Sequence, residues 1–197
     1  MAQEAFGVVF TFLLSLVLST AVCHGQQPGA EDCPSQPPGV YLKGAGGWTA
    51  LASATPSRMK AKHAMLSSLT EGAVAAPMIV EYAEPHAAVE VQSARPTVCV
   101  SHLMTSAPPL LVRLEIKKKT RELDSGSVRA TPFVASSEQG HAQDSIIVPS
   151  STTKPEYGIL LLQPQTNLEP GQYAVMFGAS NLAIFDFGVD AAATAQK

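Results

Sequence analysis

Across residues 77–117, apolar and polar side chains alternate with a period of two, and this pattern constrains the fold more than any other feature of the chain. Met78, Val80 and Tyr82 alternate with Ile79 and Glu81. Val89 and Val91 alternate with Glu90 and Gln92, and Val112, Leu114 and Ile116 with Arg113, Glu115 and Lys117. Successive side chains of a strand point to opposite faces, so each run predicts a strand with one face in a core and one in water. Pro85, Pro96 and Pro108-Pro109 stand between the runs, where a residue without an N–H cannot serve a central ladder. The chain has 15 Pro and 14 Gly spread along its length, which favours many short strands over long helices. No strands alternate with long helical segments, so a parallel α/β sheet is not expected. The fold class predicted is all-β, mainly antiparallel, arranged as an immunoglobulin-like β-sandwich.

Gly39-Val40-Tyr41-Leu42-Lys43 and Trp48-Thr49-Ala50-Leu51 flank Gly44-Ala45-Gly46-Gly47, and two short apolar runs around a Gly-rich turn predict a hairpin. Residues 53–76 have weak periodicity; Met59, Met65, Leu66 and Leu69 would share one face of a short helix there. A polar loop is expected near Ser136 to Gln143. Ile146-Ile147-Val148 and Gly158-Ile159-Leu160-Leu161-Leu162 are apolar on both faces, as central strands are. Near the end, Leu168-Glu169-Pro170-Gly171-Gln172-Tyr173 enters a strand on which Tyr173, Val175 and Phe177 share a face. Such a sequence resembles the tyrosine corner of immunoglobulin-like and fibronectin-type sandwiches, in which a buried Tyr hydroxyl bonds back to the chain just upstream. The expected partner is backbone between Asn167 and Pro170. Phe185, Phe187 and Val189, alternating with Asp186 and Asp190, make a closing strand.

The N-terminus has a different character. Phe6 to Val22 carries no charge, ends in small residues and is followed at once by polar, Gly- and Pro-containing chain. This is the form of a secretory signal peptide, with small residues placed for cleavage after Ala21 or after Gly25. The same run is long enough to be retained as a membrane anchor over residues 6–22. Lipidation at Cys23 is disfavoured by Val22, which stands where a small residue is needed. The domain plan is therefore a signal peptide over 1–25, a flexible Pro/Gly/Gln-rich lead-in over 26–38, a β-sandwich domain over 39–190 and a disordered tail over 191–197. About 170 residues remain after cleavage, enough for one domain with a sizeable core. Export would place Cys33 and Cys99 in an oxidising compartment, where they either bridge or stay as two thiols. On a strand through Pro96–Ser101, Val98 and Val100 face inward while Thr97, Cys99 and Ser101 share a more polar face.

The residues that carry chemistry elsewhere are present but scattered. A formal charge of −3 with 15% charged residues leaves no electrostatic footprint for nucleic acid. Lys117-Lys118-Lys119 with Arg121 is interrupted by Glu115 and Glu122 and reads as a solvated strand end. His24, His63, His86, His102 and His141 have no spacing that sets two metal ligands on one face. Ser57-x-x-Lys60 and Ser151-x-x-Lys154 match S-x-x-K without the companion motifs of serine acyl-enzymes, and no G-x-S-x-G elbow occurs. Gly44-x-Gly46-Gly47 lacks the Lys-Ser/Thr of a phosphate loop. Tyr41, Trp48 and Tyr82 would line a ligand face or pack the core, and with one Trp and 6% aromatics the core is favoured. No catalytic, cofactor-binding or metal residues are therefore assigned, and no cofactor.

GVYLKGAGGWTAL, HAAVEVQSARPTVCV, LVRLEIKKKTREL and LEPGQYAVMFG…FDFGVD, in that order over most of residues 39–190, resemble a group of exported bacterial proteins with no established activity. The resemblance implies fold and localisation only, and Val98-Cys99 stand where aromatic residues are usual in the group. The functional expectation is an exported, periplasmic or extracellular, non-enzymatic β-sandwich module that binds a protein or cell-envelope partner by its surface. It would use no nucleic acid and keep no transmembrane segment after cleavage. The alternatives are an envelope accessory protein anchored by residues 6–22 and a hydrolase with a site dispersed over loops.

Overall fold

The structure, a computed structural model, describes residues 33–62, 69, 76–105, 107–130, 135–139, 146–178 and 183–190. Residues 1–32, where a signal peptide and the start of the lead-in are expected, and residues 191–197 lie outside the described residues, as do His63 and His141.

Every described element but one residue is β. The strands are β1 (Gly39–Gly44), β2 (Gly47–Ala50), β3 (Ser53–Ala54), β4 (Arg58–Ala61), β5 (Ala76–Ala83), β6 (Glu90–Val91) and β7 (Val98–Ser101). They continue with β8 (Pro109–Lys117), β9 (Thr120–Ala130), β10 (Ala135–Gln139), β11 (Ser150–Glu156), β12 (Ile159–Pro164), β13 (Gly171–Phe177) and β14 (Ile184–Val189). One sheet runs β11-β12-β7-β1-β2; the other runs β3-β14-β13-β8-β9-β5-β4, with β10 beside β9 and β6 beside β14. All the pairings are antiparallel except β6 with β14. The all-β, antiparallel expectation holds, on more strands than the seven of an immunoglobulin constant-type frame.

The two sheets bury a common core. Val40, Leu42, Val98, Val100 and Leu162 of the first meet Leu111, Tyr173, Val175, Phe177, Phe187 and Val189 of the second. A second core explains why the opposite face of β13 and β14 is apolar too. Ala174, Met176 and Ile184 pack with Val112, Leu114, Val80, Tyr82 and Leu123. Strand β8 makes this third layer: its start pairs with β13 up to Leu114, and Glu115–Lys117 pair with β9. The second sheet thereby curls back over itself. Ile116, expected in the core, lies past the handover and is 43% exposed.

The tyrosine corner forms as the sequence implies. Tyr173 is buried, stacks on Phe187 with centroids 5.9 Å apart, and donates its hydroxyl to the Glu169 carbonyl at 2.7 Å. The Gly44–Gly47 hairpin forms in register, and β12 is a central strand between β11 and β7. Cys33 and Cys99 are joined in a disulfide, and the Tyr41 hydroxyl donates to the Pro37 carbonyl. This end of the lead-in is tied to the sheet. Cys99 does not face water: Cys33, Tyr41, Ile159 and Leu161 bury its face as a small third core.

Three local expectations change. Residues 53–54 and 58–61 are strands, with Met59 41% exposed on β4, while Leu69 is helical within the stretch expected to hold a short helix; residues 63–68 and 70–75 lie outside the described residues. Backbone pairing needs no apolar side chains, and β10 ladders onto β9 inside the stretch expected to be a polar loop. Ile147 makes only an isolated bridge to Val112, flanked by Arg113 N–H to the Ile146 carbonyl at 2.9 Å and Val148 N–H to the Leu111 carbonyl at 2.8 Å. That apolar run lies alongside β8 instead of forming a central strand; an apolar run alone does not distinguish the two.

Candidate functional site

At the end of the sandwich where β7 and β13 finish and β8 begins, a cleft of about 770 Å³ opens between two connections. One lip is the β7–β8 loop with His102, Leu103, Met104 and Thr105; the other is the end of β11 and the turn into β12, with Lys154, Glu156, Tyr157 and Gly158. Val100, Ile159, Leu160 and Phe177 come from the strands beneath. Met104 and Tyr157 are 103% and 99% exposed. Two large apolar side chains fully in water on facing lips of one cleft are an arrangement that docking surfaces use.

The lips are latched to each other. The His102 N–H donates to the Gly158 carbonyl at 2.7 Å. His102 adopts φ 48° and Gly158 φ 80°, both in the left-handed region. The imidazole lies so close over Gly158 that a Cβ there would sit 2.4 Å from Nδ1. Only glycine tolerates both the conformation and the contact. Strained backbone held by its surroundings gathers where a protein binds or acts.

The opposite end of the sandwich carries a groove of about 870 Å³ between the β1–β2 turn and the β6–β7 connection, with Lys43, Glu90, Arg95 and Asn167 around it. Arg95 spends its guanidinium on the Pro164 carbonyl, and Lys43 lies over the Trp48 ring at 5.4 Å. Arg95 and Lys43 thus brace the fold at this groove.

The structure disperses the residues that drew attention in the sequence. Tyr41 and Tyr82 are buried, and Trp48 packs against the Cys33–Cys99 core. Lys60 joins the Glu81 and Glu122 carboxylates, while Ser57 Oγ donates to the Glu81 carbonyl. Ser151 lies on the exposed edge strand β11 and Lys154 at the cleft rim. His86 Nδ1 is 3.5 Å from Gln172 Nε2, whose Oε1 accepts the Ala87 N–H at 2.7 Å. Among the described residues no three His, Cys, Asp or Glu side chains gather as a metal group.

The basic cluster divides. Lys118 and Lys119 are exposed at the β8–β9 turn, the solvated strand end expected. Lys117 is held by Glu115 at 2.8 Å and Glu122 at 3.3 Å. Glu122 is buried amid Lys60 at 2.8 Å, Lys62 at 3.6 Å and Lys117. Burial pushes its carboxyl up, but the Lys60 and Lys117 ammoniums outweigh that and hold it below the usual carboxylate range. Arg121 is no surface charge: it is buried, ion-pairs with buried Asp186, and donates to the Ala83 and Glu84 carbonyls at 3.1 Å. Burial pushes its guanidinium below its ordinary value. Asp186 looked solvent-facing by alternation; the third layer covers it, so it needs a cation.

Met104 and Tyr157 were not legible as a pair. The available signals were a Met in a polar stretch just after a strand and a Tyr before Gly at a tight turn; nothing local says that the two turns meet. The chain matches no protein-family model, no curated protein and no solved structure.

Proposed function

We propose that the protein is an exported, non-enzymatic β-sandwich module that binds a protein or cell-envelope partner through the Met104–Tyr157 cleft. The observation that carries this reading is the placement of those two fully exposed side chains on facing lips above apolar strand residues. The His102–Gly158 latch supports it, because preorganised lips lower the ordering cost of association. The Cys33–Cys99 disulfide supports export to an oxidising compartment. No helix among the described residues is long and apolar enough to cross a membrane. The Tyr173 corner favours an immunoglobulin-like descent for the sandwich, and the four motif segments favour membership of the exported bacterial group.

The test is capture of partners from the envelope fraction by the full exported protein, with Met104→Ser/Tyr157→Ser and, as a control at the opposite end, Gln92→Ser. Loss in the cleft variant alone supports the reading; equal capture by all three refutes it. Intact mass of the exported protein checks the export half: the mature chain should begin at Val22 or Gln26, and a chain still carrying residues 1–20 refutes cleavage.

A further inference from the structure

We propose that Met104 is an oxidation site through which peroxide-type oxidants control the cleft. The second half of this inference rests on the binding role proposed above; the first does not. Met104 presents its whole side chain to solvent, whereas Met176 is 2% exposed in the second core and Met59 41% exposed on β4. Both described cysteines are consumed in the Cys33–Cys99 disulfide. Among the described residues the sulfur atoms left to oxidise are therefore thioethers, and that of Met104 is the most accessible.

The chemistry balances with hydrogen peroxide as oxidant. A sulfur lone pair attacks one peroxide oxygen, the S–O bond forms as the O–O bond breaks, and the displaced hydroxide takes up the proton left on the sulfoxide oxygen and departs as water. The sulfur loses two electrons and the peroxide gains them. The product is a methionine sulfoxide, a polar and chiral group in place of a flexible apolar one. At the lip of this cleft the change is well placed. The sulfoxide oxygen makes this lip more costly to desolvate on docking over the apolar floor of Val100, Ile159, Leu160 and Phe177, while the donors of the cleft, Lys154, His102 and Thr105, stand on its lips. An apolar contact becomes a polar one, with no change to the core.

The experiment treats the folded full-length protein with limiting hydrogen peroxide and follows each methionine by peptide mass spectrometry. Met104 sulfoxide should accumulate at least about tenfold faster than Met176 sulfoxide and ahead of Met59, with the order lost in denaturant. A Met104 rate no greater than that of Met176 in the folded protein overturns the site. The cleft is then probed with anilinonaphthalene sulfonate, an apolar dye whose affinity should fall at least about fivefold on oxidation of the parent. The fall should be absent in Met104→Leu and reversed by methionine sulfoxide reductase. Unchanged dye affinity on full conversion of Met104 overturns the control of the cleft. Failed partner capture with intact sulfoxide mapping would count against the binding role alone.

Discussion

Removing a single oxygen from Tyr173 isolates the corner. In Tyr173→Phe the ring stays against Phe187 at 5.9 Å and the apolar burial is unchanged, so the loss is the 2.7 Å bond to the Glu169 carbonyl. A net intramolecular hydrogen bond contributes about 1 kcal/mol, and a buried acceptor left unpaired costs about 1–3 kcal/mol. Glu169 lies at an exposed turn, its side chain 73% accessible, so water partly repairs its carbonyl. The expected cost is therefore about 1–2 kcal/mol. With a urea m-value of about 2 kcal/mol/M, the midpoint should fall by about 0.5–1 M at unchanged slope. Tyr173→Ala adds a cavity between the sheets and should cost about 3–5 kcal/mol. Glu169→Ala is the control, because it deletes the exposed ion pair to Arg113 but keeps the carbonyl, and should cost less than about 1 kcal/mol. A Tyr173→Phe midpoint coincident with the parent would refute the corner's energetic role. In the parent, burial pushes the Tyr173 phenol above its ordinary value, so its ultraviolet titration should lie above the ordinary phenol range.

Four further outcomes are expected. Cys33→Ser/Cys99→Ser opens a closure spanning 66 residues and should lower unfolding free energy by about 4 kcal/mol in the chain-entropy picture; denaturant midpoints equal with and without reductant would contradict it. Arg121→Met strands a buried carboxylate at Asp186 and should cost about 3–5 kcal/mol, most of it recovered in Arg121→Met/Asp186→Leu; a double variant no better than the single would show that the pair is not the reason. Glu122 has a folded pKa below its ordinary 4.5, so its contribution is present above that value and is lost as pH falls through the lower folded one. The gap between parent and Glu122→Gln midpoints should be full at neutral pH and close below about 4.5, and a pH-independent gap would reject the lysine cage. Gly158→Ala should be destabilised, by the left-handed φ and by collision with His102. Adding His102→Ala should relieve the collision and leave the backbone part, about 1–2 kcal/mol; no relief would show that the imidazole does not pack over Gly158.

What the chain states in its own order is local. Period-two alternation at Val80 and Tyr82, at Val112 and Leu114, and at Phe187 and Val189 determined the strands and one buried face of each, because side-chain direction in a strand depends only on parity. The Gly-rich turn after Gly44 and the Pro170-Gly171 turn before Tyr173 were legible for the same reason: turn geometry and corner bonding span four to six neighbouring residues. The polar side of each strand was another matter. Alternation assigns Asp186 and Cys99 to the more polar face of their strands, yet whether water covers that face depends on which layer arrives from elsewhere in the chain. The curl of β8 onto β9 buries Asp186 against Arg121, and the tied lead-in covers Cys99. The cleft is tertiary in the same sense, since Met104 and Tyr157 lie 53 positions apart and neither carries a motif. They line one cleft because β12 pairs with β7 in a register that opposes Ile159 to Ser101, which sets the loop leaving β7 beside the turn entering β12. Parity is written in the sequence; the identity of the neighbour across the sheet is decided only when strands from distant parts of the chain pair.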